Sequence, residues 1–118
     1  MLVMAFRVKR IHDDPDPADG FRVLVDRLWP RGISKDRAAL DLWAKDAAPS
    51  TELRTWFHAH TGEFAEFADR YRAELDANPQ AVAQLRELAA DHPTVTLLYS
   101  VRDATNNHAR VLADYLGQ

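Results

Sequence analysis

Apolar and polar positions alternate at the start of the chain. Residues 4–11 place Phe6 and Val8 on one face and basic residues on the other, which is the period of a half-exposed strand. We expect this strand to lie at a sheet edge. Residues 12–20 are rich in Asp, Pro and Gly and predict a loop, because proline cannot donate to a strand ladder.

Two further stretches, 21–28 and 94–100, are largely apolar on both faces and rich in β-branched or aromatic residues. This pattern is typical of central strands that are buried on both sides. The long connection between them has helical patterns, which favours a right-handed parallel crossover. We therefore expect the two strands to be parallel neighbours.

Helical periodicity occupies most of the remaining chain. Ser34 and Ser50 predict the N-caps of two helices, and Pro79 predicts the start of another. An apolar stripe at positions 64, 67, 68, 71 and 75 predicts a further helix, and residues 108–116 carry a last stripe. Residues 40–50 lack a clear period and fit either a short strand or an irregular segment. One core is expected to contain Trp56, Phe57, Phe64, Phe67, Tyr71, Val95 and Leu97.

These elements predict an α/β fold, with a short, mostly parallel sheet and helices packed on both faces. The length of 118 residues suits a single domain over residues 1–118.

The composition narrows the classes of function. The chain has no cysteine, which excludes disulfides, thiolate nucleophiles and thiolate metal sites. Its formal net charge of -3 disfavours broad binding to nucleic acid or acidic membranes, although a local basic patch stays open. The first apolar residues are too few for a signal peptide, and no apolar run reaches membrane-spanning length. We expect a cytoplasmic protein.

Charged residues follow both central strands. Asp26 and Arg27 follow the first strand, and Arg102 and Asp103 follow the second. The carboxyl ends of parallel strands face a common crevice, where ligands bind in many α/β proteins. The exit of the first strand also runs towards the helix start at Ser34, whose free N–H groups would favour an anion.

Two interpretations of this charged cluster are equally supported by the sequence. In one, arginines hold an anionic group while an aspartate acts as a base or orients an arginine. In the other, Arg27 pairs with Asp103 and Arg102 pairs with Asp26, so that ion pairs tie the strand ends together. The predicted catalytic residues are Asp26 and Asp103, and the predicted ligand-binding residues are Arg27, Trp29, Arg31, Gly32, Lys35 and Arg102.

Histidines raise the question of a metal site. His58, His60 and His108 could supply three nitrogen ligands, but side chains two residues apart at a helix end point in different directions. The acidic loop around His12, with aspartates at positions 13, 14 and 16, is more typical of a solvated turn. We predict no metal and no cofactor. The three tryptophans are expected in the core rather than in a stacking platform.

Several motifs together resemble one known family. They are RVLVDRLWPRG at 22–32, APSxELRxWF at 48–57, FxxRY at 67–71 and TLLY at 96–99 followed by Arg102 and Asp103. They are similar to the YeaO-like family of bacterial proteins, which is classed as a domain of unknown function (488). The resemblance covers the chain from Phe6 to Leu116.

This resemblance implies a small α/β domain without an established activity. Asn107 and Ala109 match the family's final segment, which adds Asn107 to the predicted ligand-binding residues. Asn106 stands where the family pattern has a histidine, so the resemblance carries over no catalytic histidine.

Two classes of function remain. The first is an enzyme or a small-ligand binder that acts on a phosphate- or carboxylate-bearing molecule in the strand-end crevice. The second is a non-catalytic interaction module, regulatory or associated with nucleic acid, for which a homodimer is left open. The acidic net charge favours the first class. The second class would be favoured by a continuous basic surface. The residues that would form it are Arg7, Lys9, Arg10, Arg22, Arg31, Lys35 and Arg37.

Overall fold

A computed structural model describes residues 6–117. Four parallel strands form one sheet in the order β1-β4-β2-β3, and the strands are β1 Phe6–Arg10, β2 Phe21–Leu24, β3 Leu42–Trp43 and β4 Val95–Tyr99. The α-helices are α1 Lys35–Ala38, α2 Thr51–Ala59, α3 Phe64–Asp76, α4 Pro79–Asp91 and α5 His108–Leu116. Short 3-10 turns occupy Pro17–Asp19 and Lys45–Ala47. Within the described residues, no helix has both the length and the apolar character needed to cross a membrane.

The two predicted central strands lie side by side and parallel, as expected. Phe21 of β2 pairs with Val95 of β4, and the register continues to Leu24 and Leu98. Strand β1 pairs with the opposite edge of β4, which confirms its edge position. Residues 4 and 5 of the predicted first strand lie outside the described residues.

Strand β2 is shorter than the predicted span of 21–28. The N–H of Val25 still donates to the carbonyl of Leu98 at 3.0 Å, but the chain then leaves the sheet and turns along its carboxyl edge. Residues 26–28 therefore belong to a loop. In the segment 40–50, left open by the sequence, the structure has the two-residue strand β3 and the turn Lys45–Ala47.

One face of the sheet carries the main hydrophobic core. Helices α2, α3, α4 and α5 cover it with apolar side chains. The seven predicted core residues all belong to this cluster. Phe67, Tyr71, Val95 and Leu97 are buried in it, and Trp56, Phe57 and Phe64 pack against it from partly buried positions.

The other face has a smaller apolar cluster. Leu24 and Leu98 of the central strands are buried there beside Ala38 of α1. Trp29 and Trp43 pack at its edge, with ring centroids 5.3 Å apart in an edge-to-face arrangement. Helical cover on both faces was expected, and on this face it consists of the four-residue helix α1 with adjoining loop residues.

Buried charges fix α1 to this second face. The guanidinium of Arg22 donates to the carboxylate of Asp19 and to the carbonyls of Ala38 and Ala39, at 2.8 and 3.1 Å. The ammonium of Lys9 lies 3.1 Å from the same carboxylate. Because Ala38 and Ala39 end α1, Arg22 satisfies carbonyls that the helix leaves unpaired.

Both predicted serine caps are present. The hydroxyl of Ser34 accepts from the N–H of Arg37 at the start of α1, and that of Ser50 accepts from the N–H of Leu53 at the start of α2. The carboxylate of Glu74 on α3 accepts from the N–H of Ser50 at 2.8 Å and also from its hydroxyl. Helix α3 therefore fixes the point at which α2 begins.

Candidate functional site

A cleft of about 870 Å³ opens at the carboxyl ends of β1, β2 and β4. Its walls come from the exits of these strands, one side of α2 and the start of α5. This is the edge at which open α/β sheets bind ligands. Seven of the nine predicted site residues line the cleft, namely Asp26, Arg27, Trp29, Arg31, Arg102, Asp103 and Asn107.

The other two predicted residues, Gly32 and Lys35, lie outside the cleft and are removed from the candidate site. Gly32 has a φ of 76° and sits in an open turn. Lys35 is the first residue of α1, and no residue from 32 to 38 lines the cleft. The expectation that the start of this helix would add N–H groups to an anion site therefore needs correction. The loop turns α1 onto the second face of the sheet instead.

Asp26 is the buried centre of the site. One carboxylate oxygen lies 2.9 Å from Nε2 of His108, and the other accepts a hydrogen bond from the hydroxyl of Ser100 at 2.5 Å. Its backbone carbonyl accepts from Nε1 of Trp43 at 2.7 Å. These bonds join the exits of β2, β3 and β4 to the first residue of α5.

The alternative of two cross-strand ion pairs is wrong. Asp26 pairs with His108 rather than with Arg102. Arg27 donates through Nε to the carbonyl of Pro49 at 3.0 Å and through Nη2 to that of Ala48 at 3.1 Å. Its guanidinium therefore ties the exit of β2 to the segment that leads into α2.

Asp103 stabilises the loop that precedes α5. Its carboxylate accepts from the N–H groups of Asn106 and Thr105, each at 2.9 Å, and these two bonds lower its pKa. The side chain is exposed. Because a depressed pKa keeps the carboxylate ionised and acceptor-only, Asp103 is poorly suited to proton transfer at neutral pH.

Asn107 caps α5 from a buried position. Its side-chain oxygen accepts from the N–H of Arg110 at 3.0 Å, and its amide group donates to the carbonyl of Asp103 at 2.9 Å. Both ends of the amide are thus used within the protein. Asn107 lies at the cleft because it caps α5, and this cap holds His108, the first residue of the helix, at the cleft.

Five arginines line the cleft, and they come from four separate parts of the chain. Arg10 ends β1, Arg27 and Arg31 follow β2, Arg54 belongs to α2, and Arg102 follows β4. Among the lining residues within 6–117, only two side chains are acidic, at positions 26 and 103. The cleft therefore concentrates positive charge in a chain whose formal net charge is -3.

These arginines fall into two groups. Arg10 and Arg27 donate to main-chain carbonyls and hold the cleft walls, with Arg10 Nε 3.2 Å from the carbonyl of Val101. The side chains of Arg31, Arg54 and Arg102 are exposed, and within residues 6–117 they make no hydrogen bond to the protein. Their donors are available to a ligand.

The sequence did not identify several lining residues. Arg10 and Arg54 reach the cleft only because β1 and α2 pack beside the central strands. Arg54 lies within the family motif, which was the available signal for it. Ser100 and the Asp26–His108 pair had no local signal, since the contact depends on the tertiary position of α5.

The three histidines considered as metal ligands do not converge. His108 bonds to Asp26, whereas His60 stacks on Trp56 with ring centroids 4.5 Å apart and lies away from the cleft. His58 is exposed at the cleft wall. Across the part of the chain that the structure describes, no group of three or more His, Asp or Glu side chains is arranged to hold a metal.

The polar centre lacks the order required for an activated serine. Ser100 and His108 both bond to the carboxylate of Asp26. In a Ser-His-Asp relay the histidine must lie between the hydroxyl and the carboxylate. The arrangement therefore orients an imidazole without preparing a nucleophile.

Comparison with known proteins gives consistent results over nearly the full chain. A family model described as the inactive DUF488-N3 subclade matches residues 5–118. The chain is 49% identical to the "Uncharacterized protein YeaO" of Escherichia coli (strain K12), over 96% of this chain and 97% of that protein. It is 48% identical to the "Uncharacterized protein Rv3073c" of Mycobacterium tuberculosis (strain ATCC 25618 / H37Rv), over 93% and 92% respectively. No solved structure matches significantly.

Proposed function

Because this chain belongs to the DUF488 family, within the subclade described as inactive, we propose that its strand-end cleft binds a small phosphate- or carboxylate-bearing ligand without converting it. The subclade description favours binding over catalysis. The order of bonds around Asp26 supports the same choice, because it provides no serine–histidine pair for covalent chemistry.

The observation that carries the proposal is the convergence of five arginines on one cleft. A surface arginine is usually solvated, so each of them alone would mean little. Their origin in four separate segments is harder to attribute to sequence composition, because the fold has to bring them together. Mutual repulsion among like charges in one cleft is relieved when an anion binds.

Arg31, Arg54 and Arg102 are the proposed contacts to the anion. A guanidinium presents its donors in a planar fork that matches the two oxygens of a carboxylate or a phosphate. None of the three uses these donors within the described protein. Arg10 and Arg27 add positive charge to the cleft without a proposed contact to the anion. Their hydrogen bonds to main-chain carbonyls keep the cleft walls in place.

His108 is proposed as a further polar contact. Asp26 fixes its ring through Nε2, and Asn107 fixes its backbone at the start of α5. Asp26 thus has a positioning role in the proposal. This replaces the catalytic role that its place in the sequence suggested.

The alternative of an interaction module that contacts nucleic-acid phosphates has less support. It depends on a continuous basic surface, but Arg22 is buried in its bonds to Asp19 and α1. Lys9 pairs with the same Asp19, and Arg37 lies 3.1 Å from Asp14. Three of the seven basic residues in that set are therefore paired with carboxylates, and the burial of Arg22 removes it from any surface.

Calorimetric titration tests the proposal directly. Inorganic phosphate, methyl phosphate and acetate would be titrated into the wild-type protein and into Arg31→Ala and Arg102→Ala. We expect at least one of these anions to bind, and each variant to weaken it by about tenfold to a hundredfold, which corresponds to the loss of one charge-assisted contact. The matched control is Arg72→Ala, which removes a partly exposed arginine on α3 that pairs with Asp69 outside the cleft.

The thermal midpoint of each variant separates binding from a structural role. We expect Arg31→Ala and Arg102→Ala to keep the wild-type midpoint, because neither side chain bonds to the described protein. Absence of binding by all three anions would contradict the proposal, and lowered midpoints for the two variants would then assign these arginines a structural role.

A further inference from the structure

The cleft also has an apolar component, from which we infer that its ligand is an organic anion with an aromatic or aliphatic group next to the charge. This inference rests on the proposed function and specifies the class of ligand. It predicts that phosphate monoesters or carboxylates that carry a hydrophobic group bind more tightly than the bare oxyanions do.

The first observation concerns exposed hydrophobic residues. Leu28 is 59% exposed and Val101 is 40% exposed, and these are the exposed large hydrophobic side chains in the described part of the chain. Both line the cleft. An isolated exposed leucine or valine needs no explanation. Two of them in the same cleft, where the arginines also converge, favour a role of both side chains in binding the ligand.

The second observation is that each of these two apolar residues is the sequence neighbour of a cleft arginine. Leu28 directly follows Arg27 and lies three residues before Arg31, while Val101 directly precedes Arg102. Because all four residues line the same cleft, a ligand whose anionic group reaches Arg31 or Arg102 has apolar surface available to its adjoining atoms. Pro30 and Phe57 add further apolar lining.

The size of the cleft agrees with a larger ligand. A volume of about 870 Å³ falls within the range of pockets that hold whole organic molecules. Such pockets combine predominantly apolar walls with a few polar groups that fix the orientation of the ligand. A bare phosphate or acetate would occupy only a small part of this space and would leave Leu28 and Val101 exposed.

A pair of phosphate monoesters tests the inference. Phenyl phosphate and methyl phosphate carry the same charged group and differ in the size of the apolar group. We expect the wild-type protein to bind phenyl phosphate about tenfold more tightly in calorimetric titration, because the ring removes apolar surface from water. In the double variant Leu28→Ala/Val101→Ala this preference should fall to about twofold or less, with methyl phosphate affinity unchanged.

The matched control is Leu88→Ala on α4, which alters a partly buried leucine outside the cleft and should keep the tenfold preference. Equal binding of both esters by the wild-type protein would overturn the inference and leave the proposed function intact. If none of the four compounds binds (phenyl phosphate, methyl phosphate, phosphate and acetate), the inference and the proposed function both fail. A preference that survives in the double variant would overturn the assignment to Leu28 and Val101. Sedimentation showing a dimer that the double variant abolishes would instead assign this patch to a second copy of the chain.

Discussion

The carboxylate of Asp26 lies 2.9 Å from Nε2 of His108, although 82 positions separate the two residues in the chain. Asp26 follows β2, and His108 begins α5. Both side chains are almost completely removed from solvent. The bond therefore joins two elements that no local sequence pattern connects, at the centre of the candidate site.

We expect Asp26 and His108 to be energetically coupled. Asp26→Ala, His108→Ala and the double variant form a cycle in which each single change removes the bond between the two side chains. The expected coupling free energy is about 0.5 to 3 kcal/mol in favour of the wild-type pair, measured by urea unfolding at pH 7. Additive effects of the two single changes would show that the observed proximity contributes no stability.

Truncation of Phe67 should be among the most destabilising changes in the core. Its ring is buried and stacks on Phe57, with centroids 4.4 Å apart. Phe67→Ala is expected to lower the free energy of unfolding by about 3 to 5 kcal/mol, because it removes a large buried ring and leaves a cavity. Urea unfolding measures this loss, and an unchanged midpoint would place Phe67 at the periphery.

Gly20 should not tolerate a side chain. It has a φ of 64°, and a Cβ atom there would overlap the carbonyl oxygen of Thr94. That oxygen accepts the hydrogen bond from Phe21 that begins the pairing of β2. Gly20→Ala is expected to cost about 2 kcal/mol or more in thermal or urea unfolding.

The matched control for this change is Gly62→Ala. A Cβ atom at Gly62 would meet no atom of the described residues within 4 Å, so the free energy of unfolding should change by less than about 0.5 kcal/mol. Similar stability losses for the two variants would mean that the close approach to Thr94 is not the cause.

The pKa of the His12 imidazole should lie below the ordinary value of a histidine. Its Nδ1 atom is buried and has no hydrogen-bond partner within the described residues. Burial lowers its pKa below 6.5, and the charges of Arg10 and Arg37 lower it further. A histidine whose pKa is lowered by folding stays neutral in the native state, so its contribution to stability is lost as the pH falls below 6.5.

NMR titration of the imidazole measures this pKa. Because His12 lines the cleft, phosphate bound there should raise the midpoint by favouring the charged ring. The same titration of Arg31→Ala should show a smaller phosphate effect. A midpoint at or above 6.5 in the free protein would contradict the proposed burial of the ring.

The fold was largely predictable because its elements have strong periodic patterns. The stripe that includes Phe67 and Tyr71 identified α3, and the apolar run around Leu97 identified β4 as a central strand. The end of β2 was predicted too late because Val25 and Leu28 continue the apolar pattern of the strand past Leu24. Leu28 is apolar but exposed, which hydrophobic periodicity alone cannot reveal.

The location of the candidate site followed from strand order, but its internal bonds did not. Arg27 and Arg102 were expected at one crevice because parallel strands end on the same side, and both line the cleft. Their hydrogen-bond partners depend on loops and on the position of α5. An Asp26–Arg102 ion pair was one of two interpretations of the sequence, and the structure instead joins Asp26 to His108.

The strand order determines when the sheet can form during synthesis on the ribosome. Strand β4 is the last strand to be synthesised, yet it lies between β1 and β2 and pairs with both. A nascent chain that ends before Val95 can form only the two-residue ladder between β2 and β3, which is too small to be stable alone. The joining of β1 and β2 into one sheet therefore has to wait until β4 has been synthesised, and the edges of both strands that pair with β4 stay unpaired until then.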